Sequence, residues 1–184
     1  MRRRRLGLVA ALLAAAVAGV AIWTVSTEPE WFQRVRYPLR YESIVVAHAR
    51  NYDLPATLLA AVIYAESKFD ADARSGAGAV GLMQLLPETA KGIATRTGGD
   101  HFVVSDLLDP EINVRYGSWY LRELTRKYDS TRTALAAYHA GQGNVDRWRE
   151  QGVGVQFPET RAYVADVLAV VPVYRRAYRD ELGL

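Results

Sequence analysis

The chain has 184 residues, half of them hydrophobic, and no cysteine, which excludes disulfides, thiolate metal sites, a thiol nucleophile and a lipidated cysteine anchor. Lys and Arg total 23 against 20 Asp and Glu, but four of the positive charges are Arg2, Arg3, Arg4 and Arg5, so the rest of the chain carries 19 basic and 20 acidic residues. A basic nucleic-acid-binding surface is therefore not supported, and the length suits one domain with a real core plus an appendage.

Residues 6–25 follow the arginine run without a charge. As a helix rising about 1.5 Å per residue, they are long enough for a hydrocarbon core of roughly 30 Å. The arginines should stay cytoplasmic and everything after Val25 should lie outside, with Trp23 at the outer interface. Ala16-Val17-Ala18 also reads as a signal-peptidase site, and cleavage there would release the protein. The apolar stretch runs well past that site, which favours a single-pass anchor over 1–25. Residues 26–38 read as a polar, aromatic-containing linker, and 39–184 as the folded domain.

Within 39–184 the pattern is helical and dense. Residues 41–51 carry Ile44, Val45, Ala47 and His48 on an inner face. Pro55 suits the first position of a second helix. Residues 74–80 are small and Gly-rich and read as loop. Pro87 opens a third helix with Glu88 in its first turn. Asp109-Pro110 is a helix start, with Asp as N-cap and Pro at the first position, and the helix runs to about Tyr128. Further helices are expected over 131–139, ended by Gly141, over 144–151, and over 158–179, where Pro172 should kink or interrupt. No internal repeat and no run of alternating strands is present. The fold class predicted is all-α, or α+β at most, with a minor hairpin around 75–84.

Three segments carry the residues suited to chemistry. The first ends in Glu66-Ser67-Lys68-Phe69. Leu59, Val62 and Ile63 lie seven, four and three residues before Glu66 and share its helix face. A carboxyl on an apolar stripe loses hydration, and the negative end of the helix dipole adds to this; both raise its pKa. A carboxyl held protonated near neutral pH can act as a general acid. A surface residue or ion-pair partner is the alternative reading. The second segment, Gly81-Leu82-Met83-Gln84-Leu85-Leu86-Pro87, offers a close-approaching backbone, a soft apolar contact and a two-way amide, or else a core-filling Met at a helix start. The third, from Ala137 to Val145, sets Tyr138 and His139 beside a Gly-rich turn, which suits a binding rim or a core tyrosine. His48, His101 and His139 show no ligand spacing. No metalloprotease helix motif, nucleophile elbow or phosphate loop occurs, so neither metal nor cofactor is expected.

Glu66-Ser67-x-Phe69, Gly81-Leu82-Met83-Gln84-x-x-Pro87 and Ala137-Tyr138-x-Ala140-Gly141-x-Gly143-x-Val145 together resemble the soluble-lytic-transglycosylase family with its goose-lysozyme-like catalytic domain. Asp109-Pro110-x-x-Asn113-Val114-x-x-Gly117-x-x-Tyr120-Leu121 resembles that family's long central helix. Glu159-Thr160-x-x-Tyr163-Val164 resembles its C-terminal signature. The resemblance covers residues 41–178. It implies a lysozyme-like fold and an enzyme that cleaves peptidoglycan glycan strands at the β-1,4 bond from N-acetylmuramic acid to N-acetylglucosamine. Glu66 matches the catalytic acid and Ser75 the serine contacting the substrate N-acetyl group. Met83 and Gln84 match residues lining the saccharide groove. Tyr138 matches the tyrosine whose hydroxyl contacts the catalytic Glu, and Tyr163 another cleft tyrosine. His139 stands where the family usually has Asn, also at the substrate groove. The family scheme is non-hydrolytic, with Glu66 as single acid and base and a 1,6-anhydro product. The alternatives are a hydrolytic muramidase on the same fold, with Asp70 or Asp72 assisting water, and a membrane-tethered wall-binding protein without turnover.

Overall fold

The structure, a computed structural model, describes residues 13, 15–20 and 28–184. The apolar segment expected to anchor the chain therefore lies largely outside the described residues. Residues 15–20 are helical. Among the described residues no helix is long and apolar enough to cross a membrane. The chain divides after Arg36 into two compact units.

In the first unit, part of the expected linker is helical, forming α1 (Glu30–Arg36). Pro29 starts it, its carbonyl accepting from the amides of Phe32 and Gln33 at 2.9 and 3.0 Å. Glu30 in the first turn and Arg34 and Arg36 in the last complement the helix dipole.

The second unit, Tyr37–Leu184, contains α2 (Glu42–Asn51), α3 (Ala56–Ser67), α4 (Pro87–Thr97), a 3-10 turn (Val104–Leu108), α5 (Pro110–Tyr128), α6 (Thr131–Ala140), α7 (Gln142–Glu150) and α8 (Pro158–Ala177). Helix α3 is apolar around its whole circumference, and every residue from Ala56 to Ile63 is buried. A helix of that kind belongs at the centre of a core. It packs chiefly on α8, while α2 contacts both α3 and α5, and α6 bridges α5, α7 and α8. A smaller cluster of Val80, Leu85, Ala90, Ile93, Leu107 and Tyr116 holds α4 and the 3-10 turn on α5. Tyr120 and Tyr138 pack against both clusters and so mark the seam between two lobes.

Most helix starts follow the sequence signals. Asp109 caps α5, its Oδ1 accepting from the amides of Glu111 and Ile112 at 2.8 and 3.2 Å. Four expectations need correction. Ala47 is exposed and Ala49 buried, because the inner face of α2 follows Val45, His48 and Ala49 at three- and four-residue spacing. Pro55 is the N-cap of α3, with extended ψ of 124°, and not its first helical residue. Of the kink or interruption expected at Pro172, the interruption does not occur: α8 continues to Ala177, with Val170, Val173, Tyr174 and Ala177 all buried and holding it in place. The expected hairpin reduces to two isolated antiparallel bridges, Arg74 with Val80 and Val80 with Leu85. The chain reverses twice around Val80, leaving too few residues on either side to extend a ladder.

Candidate active site

Glu66 occupies the last turn of α3. The helix stops one residue later because Lys68 and Phe69 both adopt left-handed φ, 55° and 64°. Two consecutive non-glycine residues there cost about 1–2 kcal/mol each. Complete burial of the Phe69 ring, edge-on to Tyr174 at 6.3 Å, offsets that cost. Ser67 Oγ donates to Leu82 O at 2.8 Å and so ties this helix end to the loop before α4.

That loop is clamped from two sides. Asn113 on α5, 1% exposed, accepts from the Met83 amide at 2.7 Å. Its Nδ2 donates to Val80 O at 2.9 Å and to Leu107 O at 2.8 Å. Gly81 has φ +79° and lies against Asn113 and the Leu107 carbonyl so closely that any Cβ would collide. Tyr138 on α6 donates to Met83 O at 2.8 Å from the other side. Gln84 takes φ 46° and closes the turn, its Nε2 donating to Gly81 O at 2.9 Å and Ala73 O at 3.1 Å.

A cleft of about 510 Å³ opens beside this loop. Glu66, Ser75, Gln84, Tyr138 and His139, all singled out from sequence, line it. Met83 does not: its side chain is fully buried against Gly117, and it serves the site through its backbone alone. Tyr163 is not in the lining; it stands behind Glu66 and donates to Oε1 at 2.6 Å. Tyr138 was expected to touch the Glu66 carboxyl, but its hydroxyl is committed to Met83 O and Tyr163 makes the contact instead. Ser75 Oγ accepts from the Ala79 amide at 3.0 Å, which orders the rim. Tyr120, Leu86 and Thr89 also line the cleft and had not been assigned to it. Tyr120 lay within the quoted central-helix motif, but a tyrosine on a helix carries no sign of which lobe it faces.

Burial pushes the Glu66 carboxyl from 4.5 up to about 7, with the Tyr163 hydrogen bond pulling the other way. The hydroxyls of Tyr138 and Tyr163 are held well above the ordinary phenol range, by burial first and by the Glu66 charge second. Both therefore remain protonated donors. The site is thus a carboxyl poised to hold or release a proton near neutral pH, in a cleft walled by aromatic and amide groups.

The family model described as the transglycosylase SLT domain matches residues 43–156. The chain belongs to that family. The chain is 33% identical over 152 residues to the soluble lytic murein transglycosylase of Salmonella typhimurium, an alignment covering 76% of this chain and 24% of the relative. Among solved structures, it resembles an inactive mutant of the lytic transglycosylase Slt from Pseudomonas aeruginosa, with TM-score 0.73 and 33% identity over 86% of this chain and 28% of that one. It also resembles the 70 kDa soluble lytic transglycosylase of Escherichia coli, with TM-score 0.73 and 30% identity over 78% and 25%. The fold is therefore the lysozyme-like one of these enzymes, and the chain spans about a quarter of the length of the relatives it matches.

Two outcomes follow for this SLT domain. Tyr163→Phe removes a hydrogen bond that favours the Glu66 carboxylate. The carboxyl should then keep its proton to higher pH, moving the alkaline limb of kcat/KM upward, while loss of orientation lowers the maximum about tenfold. An unmoved or lowered alkaline limb in the pH–rate profile would contradict this.

His139 holds Thr160 Oγ1 at 3.0 Å through Nδ1, and its ring lies on Tyr163 at 4.5 Å. Desolvation lowers its pKa, with Glu159 opposing, so the imidazole is neutral at neutral pH. On acidification it charges beside the Tyr163–Glu66 pair, which favours the carboxylate and weakens the acid. His139→Asn should therefore broaden the acid limb of the profile; superimposable limbs would make His139 a structural replacement only.

Proposed function

We propose that this chain is a membrane-tethered peptidoglycan lytic transglycosylase that uses Glu66 as its only acid and base. One observation carries the reading: among the described residues, Glu66 is the sole carboxylate lining the cleft, and it is raised to about 7. Most hydrolytic glycosidases use a pair of carboxylates across the scissile bond. Asp70 and Asp72 are exposed and outside the lining, with Asp70 Oδ1 accepting from the Asp72 amide at 3.0 Å.

In the proposed reaction the neutral Glu66 carboxyl gives its proton to the glycosidic oxygen as the bond to the muramic anomeric carbon breaks, releasing the N-acetylglucosamine hydroxyl. The muramic N-acetyl carbonyl stabilises the cationic centre. Glu66, now a carboxylate, takes the proton of the muramic 6-hydroxyl as that oxygen bonds to the anomeric carbon. The 1,6-anhydro ring closes, Glu66 regains its proton and no water is consumed. The intramolecular hydroxyl is already positioned, an advantage that water lacks. Ser75, Gln84 and His139 are the residues proposed to contact the saccharide from the cleft wall. Tyr138 and Tyr163 are proposed to act behind them, on the Met83 loop and on Glu66. Digestion of purified peptidoglycan, followed by borohydride reduction and chromatography of the fragments, tests the reading. Muramic ends that resist reduction support it, and ends that reduce freely identify a hydrolase.

The tether is proposed from residues 6–25 and the arginines before them. Protease added to intact spheroplasts should digest the SLT domain. Full-length protein protected from that protease, or soluble protein beginning at Gly19, would contradict the tether.

A further inference from the structure

A second hollow, about 200 Å³, lies between the end of α2, the end of α4 and the first half of α5. It is lined by Tyr52, Gly99, Arg115, Tyr116 and Trp119 among others, and shares no residue with the catalytic cleft. Thr89 lines the cleft and Thr97 the hollow, eight residues or about 12 Å apart along α4. On α5 the adjacent residues Tyr120 and Trp119 serve the two sites separately.

Thr97 Oγ1 donates to Ile93 O at 2.9 Å, but the larger polar side chains around the hollow have no hydrogen-bond or ion-pair partner among the described residues. Tyr116 is only 3% exposed, yet its hydroxyl makes no hydrogen bond among the described residues. Gly99 keeps that hydroxyl open, since a Cβ there would sit 2.6 Å from it. The Arg115 guanidinium lies 5.3 Å over the Tyr116 ring and has no ion pair among the described residues. The carboxylate one helical turn before it, Glu111, is taken by His48 at 2.7 Å. Trp119 is half-buried, and its indole N–H has no acceptor among the described residues. The Tyr52 hydroxyl is within the field of Arg115, which opposes the upward pull of burial on its ionisation.

Guanidinium, indole and two phenols form a set rich in donors, which calls for a ligand that accepts. A carboxylate meets it with charge-assisted bonds from Arg115, and the Trp119 and Tyr52 rings supply apolar walls. The adjoining hollow is lined by Asp100 and Asp106 together with His101 and shares Arg115 with this one, and the Glu111 charge is felt at Tyr52, so Arg115 is the group that would hold an anion here. The volume has room for six or seven waters at roughly 30 Å³ each, and so for a group of single-residue size.

We propose that this hollow binds the carboxylate terminus of a peptide stem carried by the wall polymer, holding the substrate at a point separate from the cleft. The choice of occupant rests on the peptidoglycan reading above.

The test uses the full chain carrying Glu66→Gln, so that binding is read without turnover. A synthetic stem peptide with a free carboxyl terminus is titrated by calorimetry against its amidated form and against inorganic phosphate. The free acid should bind, and the amide should bind about tenfold or more weakly. Arg115→Ala should lose about tenfold, with Arg115→Lys recovering part, and Tyr116→Phe should lose a few-fold. In the active chain, Arg115→Ala should cleave peptide-free glycan at the parental rate. Equal binding of acid and amide, undiminished binding by Arg115→Ala at an unchanged melting temperature, or phosphate binding as tightly as the peptide would each overturn the proposal. A chain that binds the peptide but cleaves no glycan would instead remove the catalytic reading and leave this site standing.

Discussion

Glu66→Gln should leave the fold intact and reduce wall cleavage by about 10² to 10⁴, the range that general acid–base catalysis contributes. Glutamine keeps the shape and can still accept from the Tyr163 hydroxyl, now at 2.6 Å from Oε1. It has no proton to give the leaving oxygen and cannot take one from the 6-hydroxyl. Activity within a few-fold of the parent would remove Glu66 from the mechanism. A second readout separates catalysis from structure. Because burial raises the folded-state pKa from 4.5 to about 7, the folded chain holds a proton that the unfolded chain releases between those values. Stability contributed by this group is complete below pH 4.5 and is lost as pH rises through 7. The full displacement corresponds to about 3 kcal/mol as an upper figure. Glu66→Gln should therefore melt higher than the parent at pH 8 and alike at pH 4, a trade of stability for function of the kind active sites carry. Equal melting temperatures at pH 8 would mean that the carboxyl is solvated.

Asn113→Ala should be the most damaging change away from the carboxyl. Its side chain makes three hydrogen bonds to the backbone of the 80–83 loop and the 3-10 turn while 1% exposed. Truncation leaves the Met83 amide and the carbonyls of Val80 and Leu107 buried without these partners. At about 1 kcal/mol or more each, the loss is roughly 3 kcal/mol. In a domain of this size that lowers the melting temperature by about 6–12 °C. The same loop carries Met83 O, which receives Tyr138, so activity should fall even where the chain stays folded. A stability loss under about 1 kcal/mol by thermal melting would show that water replaces the amide at no cost.

What could be read from sequence and what could not follows from the range of the interactions. The Glu66 stripe is local, set by residues three, four and seven positions away, and the helix period exposes it. Asp109-Pro110 is likewise self-contained. Tyr163 and Glu66 are 97 residues apart, and only the packing of α8 on α3 brings them together. Resemblance pointed to both tyrosines but gave the Glu66 contact to Tyr138, whose hydroxyl the Met83 carbonyl claims. Resemblance also put Met83 at the groove, while the residues themselves left a core-filling Met open. Its side chain turns inward onto Gly117, a glycine inside α5 where a Cβ would collide with it. Asn113 was visible as part of a motif, but its three partners lie on segments whose approach no local spacing encodes. Pro172 shows the reverse case, a strong local signal overridden by four buried neighbours on one helix face.

Cleavage of purified peptidoglycan in water enriched in heavy oxygen, followed by mass spectrometry of the muramic ends, tests the central claim most directly. A single carboxyl that returns the proton to its own cycle and lets the 6-hydroxyl attack predicts anhydro ends, lighter by one water than hydrolysis products and free of the heavy isotope. Muramic ends that carry the heavy isotope at the anomeric position would show that water is the nucleophile and would contradict the account.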